Sequence, residues 1–117
     1  MRRRDIRAET GGMESGSGRF RRRNQIEQAR RGLRAEILAL RHELELLEEV
    51  LRAGPTPISA RAARDRSLHS LREAELGWRG SRAPTDLSTV VSALEDARSA
   101  LQDSLDALSR RAARAGS

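Results

Sequence analysis

An all-α fold is predicted: an elongated helical hairpin or coiled-coil bundle of two long helices, with a shorter middle helix and a disordered N-terminal arm. Three observations predict it. From Asn24 to Ala53, Ile26, Leu33, Ile37, Leu40, Leu44, Leu47 and Leu51 recur in alternating steps of four and three after Leu33. A second stretch repeats the pattern, with Leu87, Leu94, Leu101 and Leu108 at d positions and Val91, Arg98, Leu105 and Ala112 at a positions. A 3.5-residue repeat places such residues on one stripe of a helix, and that stripe needs a partner. The third observation is aromatic poverty: one Phe, one Trp and no Tyr in 117 residues. Leu, Ile, Val and Ala must then build the core, which long helices achieve along narrow stripes.

The chain divides into four segments. Residues 1–18 hold Gly11, Gly12, Gly16 and Gly18 with Ser15 and Ser17, too few apolar groups to offset the entropy of ordering, and are expected as a disordered arm. Within it, Met13-Glu14-Ser15-Gly16 has the form of an ordinary N-terminus. Residues 19–53 form a basic segment and the first long helix. Asn24 and Glu27 have capping-box spacing, which favours a start at Asn24; a start near Ser17 would place arginines unfavourably at the positive end of the helix dipole. Gly54 is expected as a left-handed terminator, with Pro55 and Pro57 barring continuation.

Residues 54–84 form a connector with a short helix, expected from Pro57 to Leu76, with Thr56 as cap, Ala60, Ala63, Leu71, Ala74 and Trp78 on its stripe, Leu68 beside it, and Gly77 and Gly80 ending it. Residues 85–115 form the second long helix, opened by Thr85 or Asp86. Beside its seam runs a line of small residues: Ala93, Ala97, Ala100, Ser104 and Ala107.

Set antiparallel, the two long helices would bring Leu51 opposite Leu87 and Ile37 opposite Leu101, with Val50 near Val90 and Arg41 near Glu95. A parallel homodimer is the competing arrangement. Leu38, Ala39, Leu46 and Val50 widen the first helix's apolar face beyond what a two-stranded coil needs, pointing to three or four helices in contact. Arg30 and Arg98 occupy a positions, where arginine either fixes register or snorkels to solvent. Glu36 and Glu43 are the acids placed to pair with Arg98.

Charge alternates along the chain. Residues 1–34 carry net +7, 35–51 net −4, 52–82 net +4 and 83–109 net −4; Arg110, Arg111 and Arg114 follow. An antiparallel hairpin would gather both basic ends at one tip over an acidic shaft. All 23 basic residues are arginine, consistent with GC-rich codon usage and also with forked recognition of phosphate or carboxylate.

Catalysis is not expected. There is no Cys, hence no disulfide or thiolate metal site. His42 and His69 lack ligand spacing, and no Gly-x-Ser-x-Gly elbow or phosphate-cradling glycine loop appears. Glu45, Glu48 and Glu49 read as a solvated face. No cofactor or metal is implied. No apolar run approaches membrane-span length, and the start lacks a secretory h-region. An intracellular protein, cytoplasmic or nuclear, is expected.

The expected function is a non-enzymatic scaffold or interaction subunit of a larger assembly, packing apolar heptad faces against helices of other subunits, with hetero-assembly favoured over a homodimer. The interface would be built from Ile37, Leu38, Leu40, Leu44, Leu46, Leu47, Val50, Leu51, Val91, Leu94, Leu101, Leu105 and Leu108. The second reading is a nucleic-acid-associated protein touching phosphates non-specifically through Arg19, Arg21, Arg22, Arg23, Arg30, Arg31, Arg110, Arg111 and Arg114. A basic run leading into leucine heptads resembles, over Arg19 to Leu51 and in outline only, the basic-region leucine zipper family. That pattern requires Arg eight residues after Asn24, where Gly32 stands, and a leucine near position 42, where His42 stands. The chain is not assigned to that family.

Overall fold

In a computed structural model, the backbone is described for residues 2–116 and side chains for residues 21–114. The expected disordered arm, residues 1–18, lies outside the residues whose side chains are described. Three helices make up the fold: α1 (Arg2–Arg52), α2 (Ile58–Gly80) and α3 (Pro84–Gly116). The all-helical expectation holds. The first helix is already formed at Arg21, so Asn24 is an exposed residue within it rather than its cap.

The helices run up, down and up. α2 returns antiparallel to α1: Arg41 pairs with Glu75 and Arg64 with Glu48, while Arg30 reaches Trp78 and Ser81. α3 returns antiparallel to α2, with Ser67 against Ala97 and Ser104 against Ala60. Two reversals restore the original direction, so α3 is parallel to α1. Ile26 and Leu87 line one hollow, Glu36 pairs with Arg98, and Leu47 lies beside Leu101 and Leu108. The antiparallel α1–α3 hairpin is therefore incorrect. A rigid 23-residue helix, about 34 Å long at 1.5 Å per residue, carries the chain back to the end from which α1 came.

The leucine stripe of α1 is consumed inside the chain. Leu33, Ile37, Leu40, Leu44, Leu47 and Leu51 are all buried, with Ile26 partly so. On α3 the heptad reading needs correction. Its d residues Leu87, Leu94 and Leu101 are buried, but Val91 and Leu105 at a are exposed, and Val90, Ala97 and Ser104 are buried in their place. The inward face is rotated toward the small residues because α2 presses against that side. α2 and α3 share the most extensive contact in the fold, built from Ala60, Ala63, Ser67 and Ala74 against Val90, Ala93, Ala97, Ala100, Ser104 and Ala107, all buried.

Small side chains let two backbones approach, and the approach is close enough for side chains to bond across it. Ser67 Oγ donates to the Ala97 carbonyl at 2.6 Å, and Ser104 Oγ donates to the Ala60 carbonyl at 2.8 Å. At the far end, a Cβ on Gly77 would stand 3.2 Å from Val90 Cγ2. Gly77 was expected to end the middle helix; instead it lies within α2 and admits α3. The helix ends at Gly80, where the Ser81 amide and hydroxyl both donate to the Trp78 carbonyl.

Other boundaries shift in instructive ways. Pro57, not Thr56, is the N-cap of α2, with no side-chain cap bond; Thr56 Oγ1 instead accepts from Arg61 Nε at 2.8 Å. Gly54 does not take the expected left-handed conformation, since no described glycine has positive φ. Asp86 reaches back across the start of α3, its Oδ2 accepting from the Arg82 and Ala83 amides at 2.9 and 3.1 Å. These bonds favour the charged carboxylate and hold its pKa below the usual value.

Candidate functional site

The predicted interface residues separate into two groups. Ile37, Leu40, Leu44, Leu47, Leu51, Leu94 and Leu101 are buried in the chain's own core. Leu38, Leu46, Val50, Val91 and Leu105 remain exposed, and Leu108 is partly buried. The surplus apolar face of α1 is itself divided. Leu38 lies on the α2 side, in a hollow with Ile37, Arg41, Glu75 and Trp78. Leu46 and Val50 lie on the α3 side.

There, Glu43, Leu46, Leu47 and Val50 of α1 face Leu101, Leu105 and Leu108 of α3 across a groove of about 390 Å³. Leu46 is 49% exposed, Val50 55% and Leu105 42%. The groove exists because α1 and α3 meet only along their inner edges, while α2 occupies the opposite side of both. Upstream of it, Glu36 and Arg98 pair at 2.9 Å with both side chains about half exposed. That pair realises the contact expected for Arg98, and in solvent it contributes under about 1 kcal/mol.

The expected partners of Val50 and Arg41 are displaced. Val90 is buried against α2, and Arg41 pairs with Glu75 at 2.5 Å rather than with Glu95. Both changes follow from the parallel direction of α3. The Arg41 guanidinium is held charged, its pKa raised chiefly by its hydrogen bond to Glu75. Arg64, against Glu48 and Asp65, behaves likewise.

The basic residues occupy two ends rather than one tip. Near the α2–α3 corner, Arg22 and Arg23 of α1 and Arg79 and Arg82 line an open cleft of about 910 Å³ with Ile26, Glu27, Arg30 and Ser81. Arg21 and Arg31 are exposed on the same part of α1. Arg110, Arg111 and Arg114 stand at the opposite end beside Pro57 and Ser59. Parallel α1 and α3 separate these groups by the length of the bundle. Arg19 lies outside the residues whose side chains are described.

Arg30 is neither a register key nor a snorkelling residue. Its Nη1 donates to the Trp78 carbonyl at 3.1 Å, the Ser81 carbonyl at 2.6 Å and Ser81 Oγ at 2.6 Å. Its guanidinium stacks 4.4 Å from the Trp78 ring centroid, and Arg34 lies 5.9 Å from the same ring. Trp78 Nε1 answers by donating to the Arg30 carbonyl at 2.8 Å. A cation thus closes the C-terminal carbonyls of α2, where the helix dipole favours it. Trp78, Arg79 and Arg82 were missed as site residues. The available signal was the position of the only Trp, between Gly77 and Gly80 at a helix end.

Among the described residues, the only buried polar side chains are Ser67, Ser81 and Ser104, and each hydroxyl donates to a backbone carbonyl. No group of three or more His, Cys, Asp or Glu side chains gathers there in a way that could hold a metal ion. His69 lies 3.1 Å from Glu73 on an exposed face of α2. No described helix is long and apolar enough to cross a membrane. Comparisons with protein-family models, curated proteins and solved structures find no match.

Proposed function

We propose that the chain is a non-enzymatic interaction subunit of a larger assembly, a helical scaffold that seats an amphipathic helix of another protein in the α1–α3 groove. The observation that carries this reading is the groove itself: Leu46, Val50 and Leu105 are left open to solvent around one hollow, whereas Leu33, Ile37, Leu40, Leu44, Leu47 and Leu51 are spent internally. A helix laid along two others completes a bundle, and anchors at i, i+3, i+4 and i+7 would fill the gap.

Charge supports one class of occupant. The groove lies within residues 35–51 and 83–109, each net −4, and Glu43 lines it. A second copy docking through the same face would bring acidic shafts together. A partner helix with an apolar stripe and basic flanks meets complementary charge instead, which favours association and suppresses self-pairing.

The test uses two designed helical peptides with one leucine stripe, flanked either by Arg or by Glu, titrated against the full chain while the methyl resonances of Leu46, Val50 and Leu105 are followed by NMR. The Arg-flanked peptide is expected to saturate and to shift these methyls. The Leu46→Glu, Leu105→Glu double variant, altered at half-exposed positions, should keep its helicity and lose the response. Equal binding of the Glu-flanked peptide, shifts confined to other surfaces, or self-association through this groove would contradict the proposal.

A further inference from the structure

The cleft at the α2–α3 corner is a second surface, independent of the apolar groove. Its walls come from distant parts of the chain: Arg22 and Arg23 on one side, Arg79 and Arg82 on the other, brought together only by the return of α2 along α1. Glu27 is the one acid that lines it. None of these four arginines has a carboxylate partner among the described residues. The contrast with Arg41, Arg64 and Arg98 is direct, because each of those is paired across a helix interface. We propose that this cleft binds the phosphate backbone of double-stranded nucleic acid without sequence preference.

The chemistry of the lining selects the ligand. Guanidinium forks match phosphate oxygens two at a time and hold their charge at any physiological pH. Protein partners are gripped by buried aromatic and aliphatic anchors; here Ile26 is the only large apolar group in the lining. A single strand would need an open aromatic face for its bases. Trp78 does not supply one, because Arg30 and Arg34 cover its ring. What remains is an open trough of four cations contacting charge rather than base edges, which is how sequence-independent duplex binding works. Arg30 lines the trough but is committed to Ser81 and the Trp78 carbonyl, so it shapes the cleft rather than contributing a contact.

The experiment measures fluorescence anisotropy of a mixed-sequence 20-base-pair DNA duplex against the full chain between 50 and 200 mM salt. Four phosphate contacts predict a slope of about −3.6 in log affinity against log salt, a loss of roughly 100-fold across that range. Arg79→Ala with Arg82→Ala removes two contacts; the slope should halve, leaving a loss of roughly 10-fold. Arg110→Ala with Arg111→Ala, at the other end of the bundle, should leave the slope unchanged. Circular dichroism confirms that both double variants remain helical. Absence of duplex binding, an unchanged slope in the Arg79/Arg82 variant, or equal competition by polyglutamate at matched charge would overturn the proposal.

Discussion

The two interfaces of this bundle are made by opposite means. α2 and α3 meet through Ala, Ser and Gly, with Ser67 and Ser104 donating across the gap to the backbone of the facing helix. α1 is held to that pair by a stripe of leucines, by the Arg41–Glu75 and Arg64–Glu48 bridges and by the Arg30 closure of α2. The first interface gains dispersion and hydrogen bonding from close approach and tolerates no added volume. The second gains from the apolar area of large side chains and suffers when volume is removed. The spare apolar groove lies beside α1, where leucine-mediated contact keeps the helices apart and leaves their outer edges open.

The contrast is broken most severely by Leu40→Ala. Leu40 is 2% exposed, and its truncation is expected to cost about 2–5 kcal/mol by urea unfolding, with hydrogen exchange accelerating first in α1. Next comes Ala97→Leu. Ala97 is fully buried and its carbonyl receives Ser67; the added carbons should separate α2 from α3 at a cost of about 1–3 kcal/mol. A neutral or stabilising Ala97→Leu would mean the close approach is not real.

Smaller effects sharpen the comparison. Gly32 has open space around its Cβ position, whereas Gly77 faces Val90. Gly32→Ala should stabilise by about 0.5–1 kcal/mol through helix propensity. Gly77→Ala should fall short of that gain, because Val90 is buried and stiff at χ1. Equal gains in thermal unfolding would show room between α2 and α3.

The smallest effect concerns Asp86. Its folded pKa is lowered by the Arg82 and Ala83 amides, so its contribution is present above the ordinary carboxylate value and lost as pH falls through the folded value. Asp86→Asn should flatten that part of the stability–pH curve slightly and leave the rest unchanged.

Much of the fold was legible in the sequence because helical periodicity is a local property. The leucines at 33 to 51, the break over 53–57 and the small-residue line of α3 all lie where they were expected. Helix direction was not legible. Heptad phase is compatible with either orientation, and only the length and rigidity of α2 decide between them. The inward face of α3 was misplaced for a related reason. Leu at d and Val or Leu at a match the coiled-coil template, yet Ala and Ser gain more by admitting α2 than Val91 and Leu105 would by facing inward. The role of Arg30 was hidden because Trp78 lies 48 residues away. The basic cleft was half visible, through Arg22 and Arg23, while Arg79 and Arg82 join it only in the folded chain.

The most direct test of this architecture is a distance measurement. The chain has no Cys, so pairs of introduced cysteines carry spin labels without background. Gln25→Cys with Thr85→Cys probes the parallel arrangement, and Arg52→Cys with Thr85→Cys probes the antiparallel one. Pulsed electron resonance is expected to give a short distance for the first pair, about one interhelical spacing of 10 Å plus the labels. The second pair should be separated by about 40 Å, the rise of α1 from Gln25 to Arg52. A reversed order, with the 52–85 pair short and the 25–85 pair long, would contradict the account and restore the antiparallel hairpin.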